Sequence, residues 1–238
     1  GVVALMAIAF VAVMLLLLGP TPERTPLAFS APFRALGRPA LAILAATALF
    51  YNIGFFTLLA FSPFPLGFGA MGIGLTFFGW GLGLAITSVW VAPLLLRRLR
   101  LTTVLLIALP LLAVDLVVAA FVVSSAAALV ACIVVGGLVL GVINTALTEA
   151  VMEATDLPRS VASSAYSAVR FLGGAVAPPL AALLWHAFNA GVPYIMAAAS
   201  VVIASLCILF GRRLLAHIDG AHPDAADEGA AVLVGDAA

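Results

Sequence analysis

The sequence predicts an all-α, multi-pass membrane protein, and three observations carry the prediction. First, 65% of the 238 residues are hydrophobic and only 8% are charged, against about 25% charged in an ordinary soluble domain. So few charges cannot cover a water-facing surface, so most of the exterior has to face lipid. Mean hydropathy is correspondingly high, at +1.29. Second, the apolar residues form seven continuous runs of about the 20 residues that a membrane helix needs. They do not alternate as barrel strands do. Third, the chain has no lysine, and nine of its ten arginines lie in alternate gaps between the runs. Basic loops stay cytoplasmic during insertion, so this ladder predicts the amino end outside and the carboxyl end inside.

The first run, 1–18, is short and abruptly begun, and reads as the end of a longer helix with no leader peptide before it. Residues 19–38 are Pro-rich and carry Arg24, Arg34 and Arg38, which makes them a long cytoplasmic loop. Six full runs follow, at roughly 39–61, 70–94, 102–122, 126–150, 160–184 and 191–211. Between them, Ser62–Gly69 is uncharged and outward-facing. Arg97, Arg98 and Arg100 form a cytoplasmic anchor, as does Arg159 beyond the helix-breaking Pro158. Ser124-Ser125 and 189–193 are tight outer turns. Residues 214–238 are Ala-rich and acidic, and are expected to be a disordered cytoplasmic tail.

The two cysteines, Cys132 and Cys207, each lie inside an apolar run and read as small packed hydrophobes. No metal-ligand spacing, nucleophile constellation or phosphate-binding loop is present. No enzyme activity, cofactor or metal is therefore expected, nor any nucleic-acid partner.

Several stretches carry a more specific resemblance: FYNIGFFTLLAFSPFPL at 50–66, IGLTFFGWGLGLAITSVWVAP at 73–93 and GVINTALTEAVMEATDLPRSVASSAYSAVRFLGGAVAP at 141–178. Together they resemble the carboxyl-terminal half of a major facilitator superfamily transporter, and most of all bacterial twelve-helix drug:proton antiporters. The resemblance covers residues 1–213, and its most specific part runs from Arg159 through Arg170 to Gly174. It implies that 1–18 is the end of helix six and that 39–213 is the six-helix carboxyl-terminal bundle. It also implies a bacterial inner-membrane location, a missing amino-terminal half as partner, and proton-coupled export of hydrophobic or drug-like molecules by alternating access. In this superfamily a degenerate Gly-x-x-x-Asp-Arg-x-Gly-Arg motif often follows helix eight. Here Leu96 stands at its acidic position and glycine is missing, so Arg97, Arg98 and Arg100 read as plain anchors. The same scaffold also serves a facilitator-type importer of a metabolite. A seven-helix receptor or structural membrane protein is a reading from another class.

Ionisable residues inside a membrane are functional candidates by default. Arg170 lies ten residues past Ser160, about 15 Å down a helix. It is read as a cavity or gating residue that pairs with an acid, or as an arginine held on carbonyls. Asp115, Glu149 and Glu153 are the charge or proton-coupling candidates, and Glu149 and Glu153 share one helix face. Gly137, Gly141, Asn144 and Thr148 form one stripe, either a close helix contact or a polar cavity wall, with Asn144 favouring the wall. The first helix of each triplet lines the central cavity in this superfamily, which adds Tyr51, Asn52, Phe55 and Phe56. Trp80 joins them, and such an aromatic wall suits bulky, apolar or cationic substrates. Ordinary packing is the alternative for each aromatic. Trp185 and His186 are expected at the outer interface.

Overall fold

The computed structural model describes Ile8, Phe10, Ala12, Val13, residues 34–216 and Ile218. The chain divides into two compact units, Gly1–Ala31 and Pro32–Ala238. In the first unit the four described residues are helical and exposed. The rest of the expected partial helix 1–18, Arg24 with residues 19–33, and the acidic tail beyond 218 lie outside the described residues.

In the second unit, the described residues form helices and turns, with no strand. Six helices are long and apolar enough to cross a membrane. α1 (Pro39–Phe61) and the short α2 (Pro63–Leu66) make the first span. α3 (Ala70–Ile86), a π-helical turn (Thr87–Val91) and α4 (Ala92–Leu96) make the second. α5 (Leu101–Val122), α6 (Ala126–Glu153), α7 (Arg159–Ala187) and α8 (Val192–Gly211) are the remaining four.

The ends follow local chemistry. Pro39, Pro63, Pro93 and Pro193 stand in the first turns of their helices, where the missing N–H costs nothing. The stretch expected as a loop, Ser62–Gly69, is instead helical as far as Leu66, because Pro63 restarts the helix. Gly67 then ends it at φ 60°, a left-handed conformation that glycine adopts without strain. Asn189 holds the turn into α8 by accepting the Gly191 N–H at 2.9 Å. Past Gly211 the chain turns, and Leu215 and Ile218 are buried.

The π turn is not evident from periodicity. Pro93 has no N–H to return to the preceding turn, and the ladder widens so that the Ala92 N–H reaches the Thr87 carbonyl. Thr87 donates its hydroxyl back to the Gly83 carbonyl at 3.0 Å. Ser88 reaches across to the Gly141 carbonyl at 3.1 Å.

Packing runs in a row: α7 on α1, α1 on α8, α8 on α5, α5 on α6, and α6 on α3. α1 also touches α6 across the row. α3 and α7 therefore end the row, and the spans they build are the least buried of the six. Lipid is as apolar as the helices, so apolar burial alone cannot hold them together; close backbone approach and interhelical hydrogen bonds do. At Gly137 an added Cβ would meet the Trp80 carbonyl, and at Gly141 the Thr87 hydroxyl and Leu84 carbonyl. These two glycines let α6 lie directly on α3.

An aromatic cluster closes the opposite end from the arginines. Phe61 meets Tyr194 and Trp185 edge-on, each at 5.6 Å between centroids. Trp185 stacks on His186 at 5.3 Å. Beneath them, the fully buried Ser62 and Tyr194 hydroxyls lie 2.9 Å apart. A double-mutant cycle of Ser62→Ala and Tyr194→Phe, read by thermal unfolding in detergent, is expected to return a coupling of about 0.6 kcal/mol, the mean for such bonds. Strictly additive losses would show that this bond does not tie α1 to α8.

Candidate functional site

A polar cluster forms where α1, α6 and α7 meet. Tyr51 on α1 is completely buried and donates its hydroxyl to Asn144 Oδ1 on α6 at 2.7 Å. Above the Tyr51 ring lies the Arg170 guanidinium of α7, its Cζ 5.9 Å from the ring centroid. The Phe171 ring is at 5.8 Å. Both distances fall within the range of cation–π attraction, about 6 Å. Tyr166, one turn before Arg170, shares its face of α7. The Tyr166 hydroxyl and the Arg170 Nε are both buried at this junction.

This cluster borders a cleft of about 600 Å³ between α6 and α7. α6 contributes Asn144, Thr148, Glu149 and Glu153, and α7 contributes Arg159 and Arg170. Arg159 is the first residue of α7, and eleven residues on, at about 1.5 Å each, Arg170 lies about 16 Å deeper. That is about half of a hydrocarbon core of about 30 Å. The cleft therefore runs from the arginine-bearing end of the bundle toward its middle. Its outer part carries two carboxyl groups and Arg159, and its inner part the Arg170 guanidinium and the Asn144 amide. Such a lining offers both charge signs and an amide to an amphipathic molecule. Thr145 and Met152 also line it.

The stripe Gly137, Gly141, Asn144 and Thr148 thus serves two purposes. Its glycines carry the contact with α3, and its polar members line the cleft. The other aromatic candidates lie one turn beyond Tyr51. Phe55 meets Phe56 at 4.9 Å and Trp80 at 5.7 Å, both edge-on. Phe56 covers Gly174 of α7. Asn52 is fully buried toward α7 beside Gly173, and donates to the Ala48 carbonyl at 3.1 Å. None of these four lines the cleft.

Asp115 stands elsewhere. It is buried on α5, with Oδ2 3.2 Å from where a Cβ on Gly136 of α6 would lie. α5 packs on α6 and α8, not on α7, so Asp115 and Arg170 belong to different parts of the bundle. Arg97, Arg98 and Arg100 are exposed in the turn between α4 and α5. Among the described residues no cluster of three or more His, Cys, Asp or Glu is suited to a metal ion. Tyr166 escaped the sequence reading, although its i, i+4 spacing from Arg170 was the signal that could have found it.

Six apolar spans around a polar cleft define an α-helical multi-pass membrane protein. No known family profile matches the chain. It is 43% identical over 223 residues to the multidrug efflux protein YfmO of Bacillus subtilis (strain 168), an alignment covering 93% of this chain and 56% of that protein. The chain thus spans about half the length of the curated relative it matches.

Proposed function

We propose that this chain is the carboxyl-terminal part of a major facilitator-type transporter that exports hydrophobic or drug-like molecules in exchange for protons. The observation that carries the proposal is the cleft that reaches Arg170 and Asn144 at mid-bundle, with the buried Tyr51 behind them, in a chain related to a protein named for multidrug efflux. A midplane site between two bundles is what alternating access requires. The match covers only 56% of the relative, and α3 and α7 present broad exposed faces that include Met71, Leu75, Phe78, Phe171 and Leu172. In this reading the amino-terminal half covers them and supplies the second wall of the cleft. Glu149 and Glu153 are the proton acceptors at the cytoplasmic mouth, and the arginine ladder keeps that mouth inside.

Vesicles loaded with the full-length protein test the reading. A lipophilic dye is expected to move against its gradient when a proton gradient is imposed, and to stop when a protonophore collapses it. Residues 1–238 alone are expected to move nothing, since they build one wall. Dye movement indifferent to the proton gradient would overturn the coupling, and equal transport by the fragment would overturn the two-wall site.

A further inference from the structure

A second concavity lies on the outside of the bundle, away from the cleft. It is a groove of about 200 Å³ between α4, α5 and α6, with no polar surface. Leu95 and Leu99 form its upper end, Ile107 and Leu111 one side, and Leu138 and Val142 the other. Leu99, Ile107 and Leu111 are exposed, at 39%, 58% and 52%. These side chains line the groove and open to the outside of the bundle.

The position of the groove limits what can fill it. From Val104 to Leu111 it follows α5 for seven residues, about 10 Å at the helical rise, which lies within one leaflet of a core about 30 Å thick. At its membrane-surface end, Arg97, Arg98 and Arg100 interleave with the groove residues Leu95 and Leu99 in one turn. All three arginines are exposed, and none has an ion-pair partner among the described residues. The amino terminus of the 22-residue α5 begins at the same turn and adds its positive end. An apolar slot one leaflet deep, capped by three exposed guanidinium groups, is complementary to a molecule with an acyl chain and an anionic head.

We propose that this groove binds an anionic phospholipid of the arginine-side leaflet, with an acyl chain along α5 and the phosphate on Arg97, Arg98 and Arg100. Guanidinium groups suit phosphate because their planar fork makes two parallel hydrogen bonds. The site is separate from the transport cleft and depends only on the bundle spanning a membrane. It gives the arginine turn a ligand as well as a role in topology.

Native mass spectrometry of the full-length protein, titrated with phosphatidylglycerol and separately with phosphatidylcholine, tests the proposal. The unmodified protein is expected to retain phosphatidylglycerol in preference to phosphatidylcholine. Arg97→Gln/Arg98→Gln/Arg100→Gln is expected to weaken the tightest phosphatidylglycerol by about fivefold for each arginine lost. Ile107→Trp, which fills the groove and keeps every charge, is expected to weaken it as well. Because Ile107 is exposed, this variant leaves the bundle intact and separates lost binding from altered topology. Equal retention of phosphatidylcholine would overturn head-group recognition. Unchanged retention by Ile107→Trp would overturn the groove as the acyl-chain site. Displacement by soluble glycerol phosphate as effective as by the lipid would reduce the site to a free-phosphate site and overturn the lipid proposal.

Discussion

Replacing Arg170 with alanine in the full-length protein is expected, on the proposed function, to lower dye efflux about thirtyfold while leaving the amount of protein in the membrane unchanged. The guanidinium lies over the Tyr51 ring at 5.9 Å and beside Phe171 at 5.8 Å, at the inner end of the cleft. A desolvated cation–π contact contributes about 2 kcal/mol, and each ~1.36 kcal/mol is a factor of ten in rate. Arg170→Lys keeps the charge but loses the planar stacking and fork, so its efflux is expected to fall between the two. Dye efflux from inverted vesicles, normalised to protein amount, measures all three. An alanine variant that exports at the unmodified rate would remove Arg170 from the transport pathway. A loss of thermal stability equal in the alanine and lysine variants would mark it instead as a structural cation.

The largest effect on stability is expected at Gly141. Its Cβ position is occupied by the Thr87 hydroxyl and the Leu84 carbonyl, with the Ser88 N–H at 3.1 Å. These neighbours belong to the backbone and to the first turn of the π segment, so they cannot swing aside. Gly141→Ala is expected to cost about 1–3 kcal/mol, the usual cost of overpacking, and to lower the midpoint of thermal unfolding in detergent. Gly174→Ala is the contrast. The three atoms nearest its Cβ all belong to the ring of Phe56, the closest at 2.6 Å, and a side-chain ring can turn where a carbonyl cannot. A smaller loss at Gly174 than at Gly141 is the expected order. If Gly141→Ala melted with the unmodified protein, the close α3–α6 contact would not hold the bundle.

Much of the fold was legible in the sequence because lipid imposes one-dimensional constraints. The run expected at 102–122 is the helix Leu101–Val122, and that expected at 191–211 is Val192–Gly211. The runs expected at 126–150 and 160–184 extend a few residues further, to Glu153 and Ala187. What the runs could not show was how a helix is built inside its length. The π turn at Thr87–Val91 depends on Pro93 meeting a neighbour whose glycine carbonyl accepts from Ser88. That second condition lies fifty-three residues away in sequence.

The candidate site was legible only in part. Arg170 stood out because a charge inside an apolar run is rare. Tyr51 and Asn144 were also candidates, but nothing in the sequence joins them. The bond that does so crosses ninety-three positions of the chain. Asn52 adjoins Tyr51 in sequence yet turns toward α7, since successive residues on a helix point about 100° apart.

The sequence by itself determined the membrane class, the positions of six spans and the alternation of basic and neutral turns. Length and charge decide these directly where no water can satisfy a backbone or solvate a cation. Only the tertiary structure decided which faces meet. Apart from α7, with its serines and Arg170, the spans are apolar nearly all round, so little amphipathic pattern distinguishes lipid from neighbour. Contact is set by where glycines allow backbones to approach and where hydroxyls, amides and the guanidinium find one another. That is why the cleft on α6 and α7 and the groove beside the arginine turn became visible only once the helices were packed.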